Sequence, residues 1–172
     1  MRYANAKVSD LDDKTISIIR KIFDNDKKIF IKGVFLYGNT GSGKTHALHA
    51  IRNMYQKTTD LRTNEVENWV SLLTEIRGLF NSKISVLDFL NNNFYSKDCI
   101  FIDDVGSENQ TDWSQEILYL IIDKAYVKEI PIFIATNLSG EEFAKKYGDR
   151  ISSRLIEMCE KCSLINEDNR VK

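Results

Sequence analysis

The sequence predicts an α/β fold: one parallel sheet with helices packed on both faces. Three observations carry this prediction. Gly33 to Tyr37, Cys99 to Ile102 and Pro131 to Asn137 are short runs, apolar nearly throughout, as strands buried on both faces must be. Longer stretches with apolar residues at helical spacing separate them. A glycine-rich octapeptide, Gly38 to Thr45, joins the first run to the helix that follows it.

The elements follow in order. Leu11 to Phe23 carries apolar residues at 11, 16, 18, 19, 22 and 23, the spacing of an amphipathic helix. Within Ile29 to Tyr37, the second half from Gly33 reads as a buried strand ending at Gly38. A helix is expected from about Gly43 through Ala50 to Tyr55. Val66 to Phe80 starts strand-like, with Asn68-Trp69-Val70 ending the strand, and turns helical through Leu72, Leu73, Ile76, Leu79 and Phe80. Ser85 to Phe94 reads as a further helix. Cys99 to Ile102 is a strand ended by Asp103-Asp104, and Ser114 to Val127 a helix. Pro131 opens the next strand, where its missing N–H is tolerated. Gly140 to Lys146 and Ile151 to Cys159 are shorter helices.

The 172 residues suit one domain, 1–172, in which residues 1–28 form a helical lead-in. One Pro and eight Gly argue against long linkers. The balance of 24 basic against 25 acidic residues gives no support for strong nucleic-acid binding by the whole chain. No apolar run approaches the roughly 20 residues of a membrane span, so no membrane partner is expected. Met1 to Asp13 lacks the apolar core of a signal peptide. Three Cys, an odd number, point to a reducing cytoplasm.

Gly38-Asn39-Thr40-Gly41-Ser42-Gly43-Lys44-Thr45 satisfies G-x-x-x-x-G-K-[ST] between a strand and a helix. This is a P-loop, or Walker A sequence. Its glycines let successive N–H groups point at phosphate oxygens, and the helix N-terminus adds partial positive charge. Lys44 should reach the β- and γ-phosphates of ATP, and Thr45 should offer its hydroxyl to Mg²⁺. Cys99 to Asp104 is a Walker-B-like pattern: Asp103 holds Mg²⁺, and Asp104 is the candidate for polarising the attacking water. Glu108 is a rival for that role. The strand ending in Thr136-Asn137 could place Asn137 against the γ-phosphate, although an Asn there also simply favours a turn. In Gly148 to Leu155, Arg150 and Arg154 lie four apart on one helix face. Spacing alone favours surface ion pairs with Glu157 or Asp149, whereas a finger reaching a neighbouring subunit's γ-phosphate is the functional alternative. His46 and His49 lack a third ligand in sequence. Cys159 and Cys162 form a lone CxxC without the second pair a zinc site needs.

Taken together, Walker A, then Ile102-Asp103-Asp104-Val105-Gly106, then Asn137 and Gly148 to Cys159, resemble the DnaC-type AAA+ ATPases. That group includes bacterial and phage helicase loaders and IstB-like transposition helpers. Asn68 to Leu73, Thr111-Asp112-Trp113 and Ala135 to Ser139 resemble it too. The resemblance implies an AAA+ core without a full helical lid. Asn137 becomes sensor 1 and Arg154 the arginine finger, with Arg150 as its alternative. It also implies subunits stacking on single-stranded DNA with ATP between neighbours, and a replicative helicase as partner. Trp69 to Phe80 lies where relatives place DNA- or partner-facing elements, and Tyr3 and Asn5 where adenine-side contacts begin. Only 37 residues precede Gly38, so the helicase-gripping N-terminal domain of many loaders is expected to be absent. Ala125, just before Tyr126, stands where relatives often carry an Arg. A transposition helper, a P-loop kinase and an ATP-dependent adaptor with little turnover are the competing readings.

Overall fold

The computed structural model describes residues 3–164. A 3-10 turn at Val8–Asp10 precedes helix α1, Asp13–Ile22. Asp12 caps α1, its carboxylate accepting from the Thr15 N–H at 3.0 Å and the Thr15 hydroxyl at 2.6 Å. A small antiparallel ribbon follows, β1 (Phe23–Asp24) against β2 (Ile29–Phe30). The helical lead-in therefore ends at Ile22. Periodicity cannot reveal strands this short; the turn is set by the Asp24 carboxylate, which accepts from the N–H groups of Asp26 and Lys27.

Strand β3 (Gly33–Tyr37) leads through the glycine loop into α2 (Lys44–Thr58). Next come β4 (Glu67–Asn68) and α3 (Trp69–Gly78). The switch from extended to helical falls at Asn68, whose side chain accepts from the Ser71 N–H at 3.2 Å. The single helix expected at Ser85 to Phe94 is instead α4 (Val86–Leu90) followed by a π turn at Asn91–Tyr95. Then follow β5 (Ile100–Asp103), α5 (Asp112–Val127), β6 (Ile132–Thr136), α6 (Gly140–Tyr147), α7 (Asp149–Met158) and β7 (Cys159–Ser163).

The five-stranded sheet has the order β4-β5-β6-β3-β7, and every neighbouring pair is parallel. Side chains alternate between two cores. Phe35, Ile100, Ile102, Ile132 and Ile134 pack with α3, α5, α6 and α7. Val34, Leu36, Phe101, Phe133 and Ala135 pack on the other face with α1 and α2. Burial on both faces is why these strands are written as continuous apolar runs. The order also sets the site: β6 lies between β3 and β5, so the ends of these three strands are adjacent.

Strand β7 corrects the sequence reading, which carried the last helix to Cys159. It is an edge strand beside β3, with Glu160 and Lys161 between its cysteines. Cys159 packs into one core and Cys162 into the other. Thiols on opposite faces of a sheet cannot share a metal or a disulfide. Among the described residues no three or more His, Cys, Asp and Glu side chains are grouped closely enough to hold a metal ion by themselves. Nor is any described helix long and apolar enough to cross a membrane.

Gly33 is where β3 has no room for a side chain. A Cβ there would lie 1.8 Å from the Ile132 carbonyl oxygen. Gly33→Ala should therefore cost about 3 kcal/mol or more of stability in urea unfolding. A variant as stable as the parent would contradict this packing.

Candidate functional site

The site forms where β3, β5 and β6 end. The loop after β3 turns on Gly41 (φ 81°) and Gly43 (φ 95°), and Gly43 is the N-cap of α2. Gly43 brings no side chain to cap the helix, so the first-turn N–H groups, which a helix cannot satisfy itself, remain for an anion. The loop borders a cavity of about 460 Å³, the size of a small-ligand pocket. Thr40, Gly41, Ser42, Gly43, Lys44 and Thr45 line one side. Asp104 and Asn137 line it from the ends of β5 and β6, and Tyr3 and Asp10 from the N-terminal segment.

Gly38 and Asn39 do not line the cavity. Their carbonyl oxygens instead accept from the buried Lys44 ammonium at 2.8 and 2.6 Å. The lysine is thus held across the loop, with the Ser42 hydroxyl 3.4 Å away.

Thr45 joins the two motifs. Its hydroxyl donates to Asp103 Oδ2 at 2.8 Å. Asp103 is 7% exposed, and its Oδ1 is buried with no hydrogen-bond partner. Burial raises the Asp103 pKa, and the Asp104 charge adds to this, while the Thr45 hydrogen bond opposes it. A hydroxyl, a carboxylate and an orphaned carboxylate oxygen beside a phosphate loop fit Mg²⁺, which there would neutralise phosphate charge. Since the shift is upward, ionised Asp103 costs folding stability that is regained as pH falls through its raised pKa. Bound Mg²⁺ would compete with that proton. The Mg²⁺ enhancement of ATP affinity should accordingly weaken as pH falls, starting at higher pH than an ordinary carboxylate gives. Nucleotide titrations with and without Mg²⁺ would read it, and an enhancement independent of pH would remove Asp103 from the metal site.

Asp104 follows at φ 55°, in the left-handed region. A non-glycine residue held there stores strain of order 1 kcal/mol, a frequent mark of functional positions. Its carbonyl accepts from the Ser107 hydroxyl at 2.7 Å. Glu108, the rival base, does not line the cavity. Its carboxylate accepts from the Tyr147 hydroxyl at 2.6 Å and the Gly106 N–H at 3.1 Å, and lies 3.3 Å from the Lys146 ammonium.

Arg154 also stands apart from the cavity lining of its own chain. It pairs with Asp123 of α5, not with Glu157 or Asp149, and its guanidinium lies 5.3 Å from the Tyr119 ring centroid and 5.5 Å from that of Tyr126. Arg150 is an exposed residue, and its guanidinium lies 5.3 Å from the Tyr119 centroid. Glu157 instead accepts from the Tyr126 hydroxyl.

Several neighbours have no motif in the sequence. Asn53 Nδ2 donates to the carbonyls of Tyr3 and Ala6, both at 3.1 Å, which seats the N-terminal segment on α2. Tyr3 reaches the cavity and stacks on His49 at 4.7 Å; Asn5 does not line it. His46 lines it too, 3.7 Å from Asp10. Trp69 is fully buried, so it belongs to the core and not to a partner-facing surface.

The sequence matches the bacterial DnaA ATPase domain family over residues 9–159. The chain belongs to this family. Membership places it among the AAA+ nucleotide-binding ATPase domains and bears out the DnaC-type resemblance. One relative is the chromosomal replication initiator protein DnaA of Buchnera aphidicola subsp. Cinara cedri, 32% identical over 69% of this chain and 27% of its own length. Another is the replicative helicase loader DnaI of Bacillus subtilis, 30% identical over 64% of this chain and 35% of its own. The chain thus spans about a quarter to a third of these curated relatives. In fold it is similar to the crystal structure of the DnaC helicase loader, with a TM-score of 0.79 at 23% identity, covering 96% of this chain and 99% of that one.

Proposed function

We propose that this chain binds ATP with Mg²⁺ in the cavity, hydrolyses it between stacked subunits, and acts as a helicase loader on single-stranded DNA. The observation that carries the reading is the Thr45–Asp103 hydrogen bond, which unites Walker A and Walker B at the cavity. In this reading the loop N–H groups and Lys44 hold the phosphates, while Thr45 and Asp103 hold Mg²⁺. Asp104 orients the attacking water and Asn137 senses the γ-phosphate. Arg154, outside its own cavity, acts on the ATP of the next subunit. The helicase partner is inferred from kinship with the loader DnaI.

Support for a DNA-facing surface comes from the end of α3 and the 3-10 turn Leu79–Asn81 that follows it. Phe80 is 62% exposed and lies 6.0 Å from Trp113, edge to face, while the Arg77 guanidinium sits 4.8 Å from the Trp113 centroid. Such a stack can be extended by a base. With a net charge of −1, useful DNA affinity should require several assembled subunits.

A second reading is an ATP-dependent adaptor with little turnover. The seat of Arg154 between Asp123 and two tyrosine rings favours it, because a finger must leave that seat to act. Molar mass in solution, with and without a non-hydrolysable ATP analogue and single-stranded DNA, tests the motor reading. Assembly is expected when both are present, and a monomer under every condition would count against it.

A further inference from the structure

A buried polar group ties the loop that follows Asp104 to the C-terminal end of α6, the helix that starts shortly after Asn137. The Glu108 side chain is 5% exposed and that of Lys146 16%. The Glu108 carboxylate takes the Tyr147 hydroxyl and the Gly106 N–H. The Lys146 ammonium donates to the carbonyls of Gly106 at 2.7 Å and Glu108 at 3.0 Å. The side-chain amides of Gln110 and Gln115 close the group by donating to the Lys146 carbonyl. Residues 106–108 are thereby fixed to the C-terminal turn of α6.

Both ends of this linkage lead to the cavity. Upstream of Gly106, the Val105 N–H bonds the Ala135 carbonyl at 2.9 Å, and Asp104 is held at positive φ. Helix α6 begins just after Asn137, capped by Ser139, whose hydroxyl accepts from the Glu142 N–H. Helix α7, which carries Arg150 and Arg154, begins two residues after Tyr147. A buried ion pair adds little net stability, but losing one partner strands the other charge. What this pair fixes is registration between two loops.

Resting on the hydrolysis reading above, we propose that Glu108, with Lys146 and Tyr147, is a positioning latch that holds Asp104 and Asn137 at a set separation across the cavity. Glu108 touches no reacting atom. It acts through the backbone of the loop that follows Asp104.

The test measures steady-state ATP turnover, nucleotide affinity and amide exchange on the full chain with single-stranded DNA. Glu108→Gln and Lys146→Met should each lower kcat about tenfold or more while KM for ATP stays within about twofold, as misplacement of a catalytic group predicts. The double variant should be no worse than the worse single, because both break one unit. It removes both buried charges, so it also serves if a single variant fails to fold. Amides at 104–108 and 138–147 should exchange faster in each variant. If Glu108 were the general base, Glu108→Gln would lose turnover and Lys146→Met would keep it, which overturns the latch. Faster exchange with unchanged kcat would also overturn it, leaving a purely structural pair. If the parent binds ATP and hydrolyses none, the hydrolysis reading fails and the latch, which positions the groups of that reaction, falls with it; a parent that turns over, with kcat unchanged in both variants, overturns the latch alone.

Discussion

Lys44→Ala should weaken ATP binding by roughly 100-fold or more, equivalent to about 3 kcal/mol. The ammonium is buried and held by two loop carbonyls, so it is already desolvated and aimed across the loop. A charge-assisted hydrogen bond to a phosphate contributes about 1.5–3 kcal/mol, enough for a loss of this size. Alanine suits the first turn of α2, so the fold should survive. Calorimetry or fluorescent-nucleotide titration would measure the loss. Retention of parental affinity would show that the cavity is not the ATP site.

Arg154→Ala should act on turnover and leave binding nearly untouched. An arginine finger contributes roughly 10³-fold or more to kcat by stabilising transition-state charge. The residue does not line its own cavity, so ATP affinity should stay within about twofold. Its pairing with Asp123, at side-chain exposures of 20% and 33%, makes part of any effect structural. That part should be near 1 kcal/mol of stability for a partly exposed pair. Asp123→Asn, which breaks the same pair and keeps the guanidinium, separates the two. Stimulated turnover should collapse in Arg154→Ala and persist in Asp123→Asn. Equal losses in both would make Arg154 a structural residue.

What the sequence disclosed follows from which forces act locally. Strands β3, β5 and β6 were legible because burial on both faces demands unbroken apolar runs. The phosphate loop was legible because a tight backbone curl before a helix needs glycines at fixed spacing, here Gly41 and Gly43 at positive φ. The position of Asp103 at the end of β5 was legible from the apolar run before it. Strand β7 was not legible, since an edge strand with Glu160 and Lys161 lacks that apolar signature. The partner of Arg154 was sought along its own helix, at Asp149 or Glu157; the real partner, Asp123, is on α5, and only tertiary packing brings it near. Glu108 read as a rival base near Walker B because Lys146 and Tyr147, which engage it, are distant in sequence. The seating of Tyr3 likewise depends on Asn53, a residue no motif singles out.

The central claim is that the Gly38–Thr45 cavity is one half of an ATP site completed by a second subunit. Mixing two inactive variants tests it most directly. Lys44→Ala chains should hold ATP poorly but carry an intact Arg154. Arg154→Ala chains should hold ATP but lack the proposed finger. Turnover is measured for each variant alone and for an equal mixture on single-stranded DNA. The account predicts that the mixture hydrolyses ATP well above the sum of its parts, because each Arg154→Ala cavity can meet a Lys44→Ala neighbour. Turnover in the mixture equal to that sum, with both variants folded and co-assembled, would contradict it.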